Sequence, residues 1–573
     1  MNPAATPATT PAETAAQRAE IVVGPVLRYV DQTTATVWVE TDRACEVEVL
    51  GHRTTTWDLY GHHFAIVVVE GLEPASRTPY EVRLDGDLAW PEPGSPHPPS
   101  IIRTLGAEHL ARIAFGSCRR AAPFDRQALK AVGADALVAL SERMMGDDSR
   151  HAPDLLLLVG DQVYADDPSP ALKKRLRELH DHGQREATAE GPDSGDVREE
   201  IVDFEEYTWL YHESWRTPAV RWLLSTVPTC MILDDHDLRD DWNSSWSWRQ
   251  EMTQKDWWHD RVVGAFSSYW VYQHLGNLSP GELAQDEVYD ALRGAPDGPT
   301  RERLLADFVV RADENPDTAR WSFHRDLGRT RLVVLDSRCS RRLTPGDRAI
   351  VDDKEWAWFE EVTDADVDHL LIGTSLPVLL LHGVHALEGW SEAVAEGAWG
   401  AWGEKLGEQV RLKVDLEHWA AFRNSFDAMV TRVREIGTRA EPPASVLWLS
   451  GDVHCSYLAT ADVAGVDPAG TTVRQLTMSP FRNPLGPMIR TANSWLDRGA
   501  ARSLLGWLAR RAGVREPAMT WDVDHGPWFD NGVMTVVLDG RSAAVEVEHA
   551  RVVSGRQVLD RTATLPLTTA RPA

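Results

Sequence analysis

Residues 153–164, PDLLLLVGDQVY, and residues 444–454, ASVLWLSGDVH, decide the fold. Each is an unbroken apolar run that stops at a glycine followed by an aspartate. A strand exposed on one face alternates apolar and polar residues, whereas one covered on both faces is apolar throughout. The same pattern recurs in ARIAFGSC (111–118), VPTCMILDDHD (227–237), TRLVVLDSR (330–338) and VDHLLIGTS (367–375). Helical patterns lie between these runs, so the class is α/β. In such sheets ligands gather beyond the carboxyl ends of the strands. There each run delivers polar, acidic or thiol side chains.

Working outward, residues 21–105 read as a separate small domain. VGPVLRYV (23–30), TATVWVE (34–40), CEVEVL (45–50), HHFAIVVVEGL (62–72) and TPYEVRLDG (78–86) are short β-branched runs divided by turn residues. They predict an all-β sandwich of the fibronectin or immunoglobulin type. Proline-rich WPEPGSPHPPS (90–100) reads as a linker. Residues 1–20 form a polar, alanine- and proline-rich tail with no apolar signal core and no twin arginine. That start predicts a cytoplasmic protein, and a chain already trimmed of a secretion signal reads the same. The main domain runs over 112–560, with helical insertions near 165–225, 244–320 and 385–440. The stretch NGVMTVVLDGRSAAVEVEHARV (531–552) predicts a closing pair of strands.

Composition narrows the function. No apolar stretch approaches the roughly 20 residues that span a bilayer. The net charge of −28 repels polyanions and argues against nucleic acid as a main partner, while leaving small phosphate esters open if bound cations invert the local potential. Five scattered cysteines make no disulfide framework and suit a reducing compartment. The 24 tryptophans, many in WNSSWSWRQEMTQKDWWHD (242–260), are best explained by packing.

The strand-end residues carry the chemistry. Asp161 and Tyr164 are three apart, a spacing that in a turn puts both oxygens on one side. Asp452 and His454 are two apart and share a face if the chain stays extended. The DDHD segment stacks Asp234, Asp235, His236 and Asp237, with Asp240, Asp241 and Asn243 close behind. So many carboxylates repel one another unless cations neutralise them. Taken singly, Asp161 also reads as a helix cap and Cys118 as a small core residue. Taken together, acid- or histidine-bearing segments at the ends of separate strands point to a metal site.

Five of these pieces, FGSC (115–118), VGDQVYADD (159–167), DDHDLRDDW (234–242), VLDSR (334–338) and SGDVHCS (450–456), stand in the order seen in one family. From about Arg112 to Asn483 the chain resembles the PhoD-type alkaline phosphatases, a branch of the calcineurin-like metallophosphoesterases, which also carry an N-terminal β-sandwich. The resemblance implies a β-sandwich core flanked by helices. It also implies hydrolysis of phosphate mono- or diesters by a hydroxide activated at a dinuclear metal centre. Asp161 would bridge the metals. Cys118, Tyr164 and His454 would join it around a ferric ion (Fe3+), and Asp235 and Asp452 would hold a second cation, calcium (Ca2+). His236 would protonate the leaving oxygen or stabilise the transition state, Arg338 would clamp a phosphate oxygen, and Asn483 would lie near the substrate. Asp240 and Asp241 stand where the family often has asparagine.

Two other readings are open at this point. One is a non-catalytic phosphate-binding or assembly module on the same scaffold. The other is a phospholipase-like diesterase, for which the tryptophan-rich insertion would supply an apolar rim.

Overall fold

The computed structural model describes residues 18–106, 111–146, 152–182, 197–414, 416–486 and 499–568. Most of the tail predicted over 1–20 lies outside the described residues, as does part of the 165–225 insertion.

The N-terminal region is all-β and antiparallel. Ile21–Val30, Ala35–Thr41, His62–Val69 and Trp57–Leu59 form one four-stranded sheet, in that spatial order. His52–Thr55, Glu46–Val49, Val82–Leu84 and Asp87–Trp90 form another. Val37, Trp38, Val39, Val47, Phe64 and Val67 are buried between and beneath these sheets. The region is docked, not tethered. Buried Arg28 donates hydrogen bonds to the carbonyls of Thr229, Tyr272 and Gln273 and to Asn277 Oδ1. The Trp38 ring meets those of Tyr272 and Trp215 at centroid separations of 5.3 and 6.4 Å.

Two sheets make the main core. In the first, Thr229–Ile232, Leu155–Val159 and Ala111–Gly116 run parallel, and the last pairs antiparallel with Gly532–Asp539. In the second, Thr330–Val334, His369–Gly373, Ser445–Ser450 and Thr472–Thr477 are parallel, with antiparallel strands at both edges. The apolar runs that decided the class therefore form one side of the first sheet, with Thr229–Ile232 at its edge, and the interior of the second. Where the sheets face each other, Leu157 packs at Gly373 and Val159 at Gly451. The C-terminal pair gains a third strand, Arg556–Pro566. Charged residues such as Asp560 and Arg561 face solvent along it, so it shows no apolar run.

The tryptophan-rich insertion packs inward. Trp242, Trp257 and Trp270 are fully buried, and Trp248 and Trp258 nearly so, while Trp246 is 42% exposed. Its Tyr269–His274 segment is a π-helical turn, a form common near functional sites. This stretch supplies core, and not the apolar rim that a lipid substrate would need.

Candidate metal centre

Backbone conformation already marks the site. Few residues other than glycine adopt positive φ, yet Cys118, Asp161, Asp452 and His454 have φ of 56°, 53°, 66° and 48°. All four follow apolar strands, at the mouth of the cleft between the sheets. Strain of this kind persists only where surrounding structure fixes it. Here the turns are stitched together: Cys118 N–H donates to the Gly160 carbonyl (3.3 Å) and Asp452 N–H to Ser117 Oγ (3.0 Å). The two glycines before the aspartates are required by close approach. A Cβ at Gly160 would lie 2.6 Å from Asp234 Cβ, and one at Gly451 would lie 2.2 Å from Ser117 Oγ. The expectation of an extended chain through Asp452 and His454 is corrected. A tight turn, with His454 N–H on the Asp452 carbonyl at 2.7 Å, replaces it.

These turns gather the candidate ligands into overlapping groups. One ligand atom each from Cys118, Asp161 and His454 lies within 4.8 Å of the others. The same holds for Asp161, Asp234 and Asp235, and for Asp235, Glu417 and Asp452. Asp161 belongs to the first two groups and Asp235 to the last two. Tyr164 Oη donates to Asp161 Oδ2 at 3.2 Å, and Asn483 Nδ2 donates to Tyr164 Oη at 3.0 Å.

Electrostatics favours cations here. Asp161 Oδ1 and Asp234 Oδ2 are buried without a hydrogen-bond partner, and such atoms call for an explanation. Burial raises Asp161 to about 6 and pushes Asp234 and Asp235 well above the usual carboxylate range. Burial likewise pushes the Cys118 thiol and the Tyr164 phenol up. A metal ion would reverse both tendencies by favouring the anions. Burial, with His236 nearby, lowers His454 to about 4, so its imidazole stays neutral as a ligand must. The donor set of thiol, phenol, imidazole and carboxylate fits one thiophilic transition ion beside one oxygen-loving cation.

Other side chains hold this set in place. Asp237 is not in a ligand group. Its carboxylate accepts from the N–H groups of Asp161 (3.1 Å) and Val163 (3.3 Å) and from Gln273 of the π-helical turn. His236 Nδ1 is held by Asp166 at 2.9 Å, its Nε2 lies 3.8 Å from Asp240, and its ring centroid is 4.6 Å from that of Tyr164. Burial opposes charge on this imidazole, but Asp166 and Asp161 outweigh it and hold its pKa well above the ordinary value. Arg338 was expected to clamp phosphate. It is fully buried and pairs with Asp234 and Glu417, and its Nη2 lies 3.2 Å from Asp235 and 3.5 Å from Asp452. In this arrangement it holds the acidic groups together.

Glu388, Glu417, His418 and Asp166 escaped sequence reading. His418 bridges Glu388 (2.6 Å) and Asp452 Oδ2 (2.9 Å), which orients Asp452 as an outer-shell partner would. Glu388, Glu417 and His418 come from the 385–440 insertion, where no strand end announces them. Asp166 lies inside the quoted VGDQVYADD motif, and the His236–Asp166 contact crosses 70 residues. By contrast His382 and His385 pack on Trp521 at centroid separations of 4.9 and 4.7 Å.

A sequence profile of PhoD-like phosphatases matches residues 140–484. The chain belongs to the PhoD-like phosphatase family. Phosphoester hydrolysis in general follows from that membership, and the family's small phosphoester substrates with it. A second profile, of a domain of unknown function designated DUF7800, matches residues 18–102 of this phosphatase. The solved structure of PhoD superposes with a TM-score of 0.55 at 12% identity, over 96% of this chain and 93% of that one, a likeness of fold. Purple acid phosphatase PPD1 from yellow lupin (Lupinus luteus) seeds gives 0.46 at 9% identity, over 95% and 74%. A search of curated proteins finds no match. Among the described residues of this PhoD-like phosphatase, no helix is long and apolar enough to cross a membrane.

Proposed function

We propose that this phosphatase hydrolyses phosphate mono- or diesters at a dinuclear centre built on Asp161. The supporting observation is the buried Asp161 carboxylate, shared by two ligand groups, with Oδ1 left unpaired. Cys118, Tyr164 and His454 would hold a ferric ion with it. Asp235 and Asp452, now with Asp234 and Glu417, would hold the second cation, calcium. Bound there, the pair would supply Lewis acidity and a water of lowered pKa.

The protein's own groups do the rest. Asp166 fixes His236 through Nδ1, which leaves Nε2 to give a proton to the departing oxygen. Asn483 orients the Tyr164 phenol, and His418 orients Asp452. Arg338, fully buried against Asp234, Asp235 and Glu417, would hold these carboxylates in position. Elemental analysis with anomalous diffraction at the iron edge tests the ligand set, and a panel of chromogenic mono- and diesters tests the reaction. Iron beside Cys118, Tyr164 and His454 is the expected result. A protein that binds no cation at Asp161, or cleaves no ester when loaded, overturns the proposal.

A further inference from the structure

Away from this centre, a second group of metal-ligating side chains lies where the N-terminal β region meets the phosphatase domain. Glu40 and His62 sit on neighbouring antiparallel strands. Glu40 pairs with Phe64, so His62, two residues away, is its diagonal neighbour on the same sheet face. Against that face lies the helix Phe204–Trp215. Glu205 and His212, seven residues apart, project from one side of it. The ligand atoms of Glu40, His62 and His212 all lie within 4.8 Å of one another. Glu40 Oε1 is 2.8 Å from His62 Nδ1 and 3.1 Å from His212 Nε2.

The surroundings resemble the outer shell of a metal site. His62 Nε2 is held by Glu205 at 2.8 Å, the carboxylate–histidine arrangement that fixes a ligating imidazole. Tyr272 Oη donates to the other Glu40 oxygen at 2.7 Å. The Glu40 side chain is fully buried, while those of His62 and His212 are 17% and 20% exposed. Two imidazoles and one carboxylate, with an approach left open to solvent, are a donor set suited to zinc.

We propose that Glu40, His62 and His212 bind a zinc ion that clasps the N-terminal β region to the phosphatase domain. Neither family profile assigns it, and it stands apart from the dinuclear centre. The same side chains also lie within hydrogen-bonding distance of one another, and a metal-free hydrogen-bonded cluster is the arrangement the experiment must exclude.

The test uses the full chain in a D161N/H454A background, which removes the shared carboxylate and the imidazole of the first centre. After chelator treatment the protein is titrated with zinc, and bound zinc is measured by equilibrium dialysis. One high-affinity equivalent per chain is expected, with a rise in Tm. H62N and H212Q keep amide donors at the hydrogen-bonding positions but do not ligate zinc, and together they should abolish both effects. E205Q, which leaves the ligands in place, should weaken zinc by about 10–100-fold. No zinc equivalent in the D161N/H454A chain, or an undiminished one after H62N/H212Q, overturns the proposal. Should that variant fail to fold, zinc-edge absorption of the D161N/H454A chain decides. Scattering from two imidazoles in the zinc shell supports the site, and a shell with fewer overturns it.

Discussion

His236→Ala gives the sharpest test of the proposed chemistry. Asp166 holds Nδ1 at 2.9 Å, so Nε2 is the end free to meet a leaving oxygen. Loss of a positioned proton donor costs about 10²–10⁴ in rate. At roughly 1.36 kcal/mol per decade, that is about 2.7–5.4 kcal/mol of transition-state stabilisation. The penalty depends on the leaving group. A nitrophenolate departs without a proton and should lose less than about tenfold, whereas an alkoxide should lose at least about 10²-fold. The assay is kcat/KM for a nitrophenyl and an alkyl phosphate ester, with metal content measured on the same preparations. Equal losses for the two esters would refute proton donation by His236. A fall in iron or calcium content would instead make it a ligand, a role open to it because it also clusters with Asp166 and Asp240.

Other outcomes follow from the same geometry. Tyr164→Phe should bleach the visible charge-transfer band of the iron-loaded protein, and an unchanged spectrum would remove the phenol from the ligand set. Arg338→Met strips the cation from a fully buried group of carboxylates. It should lower stability by about 3–5 kcal/mol in urea unfolding of chelator-treated protein, and a change under about 1 kcal/mol would contradict its assigned role. Burial holds His385 to about 3, with Nδ1 unpaired. Below pH 6.5 the unfolded chain therefore takes a proton that the folded chain refuses, and stability falls as pH drops toward 3. Between pH 6.5 and 4.5 the loss is about 2 kcal/mol. His385→Phe should flatten that part of the stability profile, and an unchanged slope would show that His385 is not its source.

The sequence alone determined much of this protein. Runs such as LLLLV and SVLWLS could only be strands covered on both faces. Their terminal residues Cys118, Asp161, Asp235, His236, Asp452 and His454 are therefore legible as candidates in the sequence. Those signals are local, because hydrophobic coverage and strand ends are written within a few residues. Tertiary structure alone decided what reaches the cluster from elsewhere. Glu388, Glu417 and His418 belong to a helical insertion whose sequence carries no sign of the strand mouths it faces. The left-handed turn at Asp452 and His454 is tied by the Asp452 N–H to Ser117, more than three hundred residues away. The grouping of Glu40 and His62 with His212 needs two domains to dock. Burial and charge balance at such places depend on which surfaces meet, and no short stretch of chain records that.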